Sequence, residues 1–523
     1  MSVSAKKSHA NLLSSDVLDV SAVYILGDSL VDSGNALGLA EWFDGLPFAA
    51  LPEGAPTQDA GYFDGRFSNG YTFADLLANR LVGSPSEPVF PFGYDDPWIG
   101  IPLAPFSGDP RGDSLNFAYG GAQIIRGEEV VSDLDEQTDA LRDAVDGSFD
   151  PGDVVILTIG GNDVRELAPA SGDLTPRYHA WLDLQRSAAE LLSELSQLAS
   201  RGLQHIVLTG IPDVGLIPRY DVDGDGVLDG SNGEGGGWKG YLEEFHFAKR
   251  ASEYSAYLDE LIRTEVIPQL EAMGVTVDYI PLANVTDPDG NVIEQGALEA
   301  ILPTIAALNG LTVEAMKADW LEYADLVFFD SVHPNAQVHA LVGSYIHAQL
   351  EGSEWVEVMP MLEAELYEAF TGTISEAGET DAFLFTLQEG VAYTINVLGM
   401  STLGADGSLA DPTLTVTNFT GRVRNVFIGE SGDDAGLGFD GNYVFVAPHT
   451  GRFYLIVGAE GGLTGNYELR IGVVEDTFSA ATMFGKEALL FEATLDLTIQ
   501  PFVIPEMERP MWDDLNYAYL HMV

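Results

Sequence analysis

A hydroxyl, an imidazole, a carboxylate and two neutral N–H donors stand at chain turns, and together they have the types that one reaction needs. Ser29 follows Gly27-Asp28 after the apolar run Val23-Tyr24-Ile25-Leu26. Gly121 belongs to the glycine pair that ends Asn116-Phe117-Ala118-Tyr119, and Asn162 follows Gly160-Gly161 after Asp153–Ile159. Asp330 and His333 follow Leu326–Phe329. Hydrolysis of an ester by a serine requires a nucleophile, a base to take its proton, a group to orient that base, and donors for the oxyanion. Ser29 fits the first role and His333 the second. Asp330, three residues before His333, can lie on the same side of one turn and fix its tautomer. The N–H groups of Ser29 and Gly121 and the amide of Asn162 fit the oxyanion donors. Each residue alone reads as an ordinary turn residue, and Asp330-Ser331 as a helix cap. It is their coincidence in one pattern that points to chemistry.

The elements that must position these residues are legible as strands and helices. Val23–Leu26, Asp153–Ile159, His205–Thr209, Val275–Leu282 and Leu326–Phe329 read as buried strands, the first two as continuous apolar and β-branched runs. Thr72 is placed to cap a helix carrying Phe73, Leu76, Leu77 and Leu81. Tyr178–Ser200, Tyr241–Met273 and Ala336–Leu350 read as helices, and Gly202 stops the first of them. Strands alternating with helices predict a parallel sheet covered on both faces, with its crevice at the C-terminal strand ends. The first Gly-turn puts Ser29 at that edge, because Gly27 can take angles other residues resist.

Composition narrows the partners. The chain has 523 residues, with 23 Lys+Arg against 81 Asp+Glu and a formal charge of -58. So long a chain divides into domains. So negative a surface excludes nucleic acid and anionic membranes as partners, since both require basic patches. It favours a saline setting, where salt screens self-repulsion. There is no cysteine, which excludes disulfides, thiolate catalysis and Cys-based zinc sites. No apolar stretch is long enough for a transmembrane helix. Residues 1–20 carry Lys6 and Lys7 without a following apolar core, so they read as a flexible leader and not as a secretory signal peptide.

Beyond residue 355 the pattern changes. Glu379–Leu387, Val391–Gly399, Asp411–Phe419, Asn442–Pro448, Gly451–Ala459 and Gly465–Gly472 are short strands between Gly/Asp turns, predicting an antiparallel β-sandwich. The expected organisation is a leader over 1–20, an α/β domain over 21–355, a β-sandwich over 356–473 and a tail over 474–523. One further motif lies inside the α/β part. Asp221, Asp223, Asp225 and Asp229 occupy positions 1, 3, 5 and 9 of an EF-hand-type calcium loop, with Gly226 at position 6 and the Val227 carbonyl at position 7. Position 12 is Asn232 in place of the usual Glu. Bound calcium there is expected to be structural, and no cofactor is expected in the chemistry.

Gly27–Leu30 (GDSL), Asn116–Ala122 (NFAYGGA), Gly160–Asp163 (GGND) and Asp330–Pro334 (DSVHP) stand in the order found in GDSL lipases and esterases of the SGNH hydrolase superfamily, which this chain resembles over about 330 residues. Gly27–Asn35 and Gly65–Gly70 resemble the branch with plant GDSL lipases, autotransporter esterases and hemolysin-type acyltransferases. The resemblance implies a three-layer α/β/α, flavodoxin-like fold. It implies Ser29 as nucleophile, Asp330 and His333 completing a triad, and Ser29, Gly121 and Asn162 as the oxyanion hole. Gly121 fits the offset from Asn116 better than Gly120, which stays open. An esterase or lipase working through an acyl-enzyme is the implied activity. Acyl transfer to another alcohol uses the same triad, and an adhesion protein with an inactive hydrolase domain is the third reading. The sandwich resembles the bacterial pre-peptidase C-terminal domain of exported hydrolases, implying export and attachment to a cell surface or polysaccharide. Missing cysteine, high acidity and the absent signal peptide suggest secretion by a type I route read from the tail.

Overall fold

The structure, a computed structural model, describes residues 20–44, 54–89, 114–125, 132–145, 148–170, 175–221, 238–287, 290–352, 355, 364–418, 437–447 and 450–474. In chain order the first part contains β1 (Ala22–Gly27), α1 (Asn35–Asp44), α2 (Phe73–Val82), β2 (Glu87–Pro88), β3 (Ser114–Asn116), α3 (Leu134–Ala144) and β4 (Asp153–Thr158). There follow α4 (Gly161–Leu167), α5 (Arg177–Ser200), β5 (His205–Thr209), α6 (Trp238–Leu261), a π-helical turn (Ile262–Val266), α7 (Ile267–Ala272) and β6 (Thr276–Ile280). The hairpin β7 (Val285–Thr286) and β8 (Val292–Glu294) precedes α8 (Ala297–Leu308), α9 (Val313–Ala318) and α10 (Ala336–Glu351).

One sheet organises these elements, in the order β2-β3-β1-β4-β5-β6, with every pair parallel. Every residue of β1 and of β4 is buried, which explains why both read as unbroken apolar runs. Helices α3, α5 and α6 pack in succession as one layer, and α2, α10 and α8 as another. This is the three-layer α/β/α arrangement. Without the two-residue edge strand β2, the order is that of flavodoxin-like sheets, and the switch point falls between β1 and β4. The crevice outside that point is where Ser29 and Asn162 emerge. Local chemistry sets the helix ends: Thr72 and Asp75 form a reciprocal capping box at the start of α2, and Asn335 accepts from Val338 N at the start of α10.

The expected fifth strand at Leu326–Phe329 does not form. Ala324–Leu326 is a 3-10 turn, and Phe328 N bonds back to Ala324 O. Phe328 makes only an isolated bridge to Pro334, closing the loop on itself. Val327 and Phe328 are buried without ladder pairing, a distinction that hydrophobicity alone does not make.

The second part runs β9 (Ala364–Ile374), β10 (Asp381–Leu387), β11 (Ala392–Leu398), α11 (Met400–Leu403), β12 (Pro412–Asn418), β13 (Gly441–Val446), β14 (Gly451–Ala459) and β15 (Gly465–Val474). Its two antiparallel sheets, β10-β14-β12 and β13-β11-β15-β9, share a core that includes Phe385, Tyr393, Ile395, Phe453, Leu455 and Leu469. Strand β9 was not among the segments expected as strands, yet it pairs along β15 with one register shift. The leader, most of the calcium-loop motif and residues 475–523 lie outside the described residues.

The two parts are packed together. Tyr71, Leu76, Ala336 and Ala340 of the first join Met400 and Phe439 of the second in one apolar cluster. The Arg80 guanidinium lies 4.8 Å from the centre of the Phe439 ring and pairs with Asp411 at 2.6 Å. Gln337, at the second position of α10, donates to the carbonyls of Ser401 and Thr402. Asp411 is 2% exposed and Arg80 14%. Replacing Asp411 with Ala is expected to cost about 3–5 kcal/mol, because it strands a guanidinium in the interface. Urea unfolding of both proteins measures this, and a loss under 1 kcal/mol would mean the pair behaves as a surface bridge.

Candidate active site

The turn after β1 is fixed before Ser29 is reached. Gly27 has φ +147°, and a Cβ there would lie 2.1 Å from Thr158 O of the neighbouring strand, so only glycine fits. Its N–H donates to Gln137 Oε1 and its carbonyl accepts from Gln137 Nε2. Asp28 N donates to Thr158 O. The backbone carrying Ser29 is therefore held from two neighbouring elements.

His333 Nε2 lies 2.8 Å from Ser29 Oγ, and His333 Nδ1 lies 2.7 Å from Asp330 Oδ2. Asp330 Oδ1 accepts the N–H groups of Val332 and His333, and Oδ2 also accepts the Tyr62 hydroxyl. Burial works against ionising Asp330, but the imidazole and the two backbone donors outweigh it and hold the carboxyl well below the usual range. The ring of Phe67 packs against the imidazole at 5.0 Å, and Tyr62 stacks edge-on to Phe67 and Phe329. An aromatic wall thus orients the histidine. With Asp330 ionised, the Nδ1 proton is held on that side, which leaves Nε2 to accept a proton from the serine.

The structure separates the two glycines. Gly120 N donates to Asp32 Oδ2 at 2.8 Å, and a Cβ on Gly120 would collide with the Phe67 ring. Its N–H is therefore engaged, and its lack of a side chain serves packing. Gly121 has φ +90°. Among the described residues neither Gly121 N–H nor Ser29 N–H is taken by a hydrogen bond. The Asn162 side chain donates one Nδ2 hydrogen to Ala122 O at 2.9 Å and accepts from Arg165 Nη1 at 3.0 Å.

Ser29, Asn162 and His333 line one crevice, Asp330 is bonded to His333, and Gly121 precedes Ala122, whose carbonyl accepts from Asn162. The chain reading missed the residues that hold them. Asp32 accepts from the N–H groups of Gly34, Asn35, Ala36 and Gly120, joining the Ser29 turn to the glycine turn. Asn35 donates to the carbonyls of Asn116 and Ala118. Asp163 accepts from Ile124 N, Ile125 N and Ser187 Oγ. Asp32 and Asn35 lie inside the Gly27–Asn35 motif, and Arg165 is one turn after Asn162, so spacing held a signal for these three. Nothing local marks Tyr62 or Gln137.

A pocket of about 610 Å³ opens beside Ser29, Asn162 and His333. Leu30, Phe73, Leu298, Val327, Phe328 and Val342 line much of it, giving an apolar chamber next to a polar end. Of the calcium-loop residues, only Asp221 is described, and among the described residues no group of His, Asp or Glu is arranged to hold a metal.

A family profile described as GDSL-like lipase/acylhydrolase matches residues 23–346. A GDSL esterase/lipase of Arabidopsis thaliana is 32% identical over 231 residues, 39% of this chain and 55% of the relative. A phosphatidylcholine-sterol acyltransferase of Aeromonas hydrophila is 26% identical over 199 residues, 38% of this chain and 46% of the relative. The chain thus spans about half the length of these curated relatives. The pre-peptidase C-terminal domain of a collagenase from Bacillus anthracis aligns at 19% identity and TM-score 0.16, over 20% of this chain and 87% of that domain.

Asp28, next to Ser29, is buried, and its Oδ1 accepts from Leu30 N. Burial pushes its carboxyl up to about 7, opposed by the Leu30 N–H and Arg165 and reinforced by Asp163 and Asp32. Between its ordinary 3.8 and about 7 the folded chain holds a proton here that the unfolded chain has released. The Asp28 contribution to stability therefore falls as pH rises through that window and is flat above it. The stability difference between the wild type and Asp28→Asn is expected to drift against the wild type from pH 4 to 7. Thermal unfolding across pH measures it, and a constant difference would show that Asp28 is ionised throughout.

Proposed function

The chain belongs to the GDSL-like lipase/acylhydrolase family, and from that premise we propose that it is a serine esterase or lipase that hydrolyses carboxylic esters through an acyl-enzyme. The observation that carries this reading is the unbroken line Ser29–His333–Asp330, at 2.8 and 2.7 Å, opening on an apolar pocket. Ser29 Oγ attacks the ester carbonyl while His333 Nε2 takes its proton. The carbonyl oxygen, now negative, sits among Ser29 N–H, Gly121 N–H and the second Nδ2 hydrogen of Asn162. Asp330 stabilises the imidazolium. His333 then gives the proton to the departing alcohol, and water attacks the acyl-enzyme by the same route in reverse. The chamber beside Ser29 suits an apolar acyl chain, since burying each methylene is worth about 0.8 kcal/mol.

Transfer of the acyl group to an alcohol other than water differs only in the last step, and the similarity to the acyltransferase keeps that outcome in view. Secretion, attachment through the sandwich and a structural calcium at Asp221–Asp229 belong to the same proposal. Among the described residues no helix is long and apolar enough to cross a membrane.

Ser29→Ala is expected to lose fluorophosphonate labelling and to lower ester turnover by on the order of 10⁴-fold or more. Asp330→Asn, which leaves the imidazole without its carboxylate, is expected to lower kcat by on the order of 10⁴. A panel of p-nitrophenyl esters of rising chain length, run with calcium and with a chelator, reads both. Retained hydrolysis in Ser29→Ala sinks the reading, and a thermal unfolding midpoint indifferent to chelation removes the structural calcium from it.

A further inference from the structure

Asn162 has a problem common to side-chain amides. Its oxygen and nitrogen are nearly the same size, and only the nitrogen can stabilise an oxyanion. Turned over, the group would aim a lone pair at the developing negative charge. Its two neighbours decide the matter. A guanidinium only donates, so the atom 3.0 Å from Arg165 Nη1 must be Oδ1. A carbonyl only accepts, so the atom 2.9 Å from Ala122 O must be Nδ2. Reversal would set donor against donor and acceptor against acceptor at once. The remaining Nδ2 hydrogen is left for the crevice that holds Ser29 and His333.

Arg165, like Arg219 and Arg250 among the described residues, is an arginine without a carboxylate ion pair. Acidic residues outnumber basic ones 81 to 23, and Arg66, Arg80, Arg142, Arg177, Arg186, Arg263 and Arg470 are each paired with a carboxylate. Among the described residues Arg165 forms no such pair, and its hydrogen bond goes to the neutral amide of Asn162. It lines the pocket one helical turn beyond Asn162. Burial and the nearby Arg219 both weaken its hold on its proton, while Tyr220, Asp28 and Asp330 oppose them. Keeping a half-buried cation on an amide costs free energy that a carboxylate would offset. What the arrangement supplies is a positive charge behind the oxyanion hole and a polarised amide whose free N–H is a stronger donor.

We propose that Arg165 is a positioning residue of the oxyanion hole, which fixes the amide orientation of Asn162 and strengthens its free N–H toward the tetrahedral intermediate. The inference rests on the serine-esterase reading. Its signature is an interaction made in the transition state and not in the ground state.

The test is a double-mutant cycle on a short-chain p-nitrophenyl ester, with Arg165→Met in the wild-type and Asn162→Ala backgrounds. In the wild-type background kcat is expected to fall by roughly 10- to 100-fold with KM within about threefold, less than the ~10²–10³ of losing a donor outright. In the Asn162→Ala background the same substitution is expected to change kcat by less than about threefold, since the group it positions is gone. Arg165→Lys, which keeps the charge, recovers part of the loss. Affinity for a trifluoromethyl ketone, whose adduct carries the oxyanion, weakens in step with kcat/KM across the variants. Equal losses in both backgrounds, or a ketone affinity that does not move, overturn the proposal. If Arg165→Met does not fold, Arg165→Gln, polar but uncharged, carries the same cycle. A wild type without ester turnover would instead bring down the esterase reading itself.

Discussion

The hydrogen bond between Ser29 Oγ and His333 Nε2 joins residues 304 positions apart, and much of the surrounding structure serves to keep it short. The serine is presented by a glycine turn at the switch point of a parallel sheet. The histidine sits on a loop that no strand supports. That loop is stabilised by its own contacts: Asp330 caps it through two backbone N–H groups, and Phe328 bridges to Pro334. Ser68 Oγ donates to Pro334 O, and Asn69 Oδ1 accepts from Ala336 N, tying the loop to the segment before α2. Helix α10 begins at Ala336 and packs on α2, α8 and α11. The sandwich therefore backs the element that follows the histidine. Its contacts, the apolar cluster and the Arg80–Asp411 pair, are those of a packed interface and not of a tethered module.

Buried aspartates do much of the joining. Asp32, Asp75, Asp163 and Asp440 are buried, and each accepts several donors. Asp75 closes the α2 capping box and also receives Arg66 and Ser86. Asp440 takes Gly399 N and Thr402 N beside the interface. A carboxylate offers two oxygens with several lone-pair directions, so one small side chain can fasten two or three loops. Cross-links of this kind do without cysteine, of which the chain has none.

The sequence by itself determined the architecture and singled out the candidate site residues. Continuous β-branched runs marked β1 and β4, alternation and turn residues marked most of the sandwich strands, and Thr72 marked the start of α2. These signals are local: they act between residues one to four apart. Ser29, Gly121, Asn162, Asp330 and His333 were legible because their types and order are those of a single reaction. Only the tertiary structure decided the rest. It turned Leu326–Phe329 from a strand into a packed loop, because its backbone bonds back on itself, Phe328 N to Ala324 O, and not to a neighbouring strand. It separated Gly121 from Gly120, because Asp32, 88 residues away, engages one N–H and leaves the other. And it fixed which end of the Asn162 amide faces the crevice, because the acceptor that joins Arg165 in settling it, the Ala122 carbonyl, comes from another turn 40 residues away.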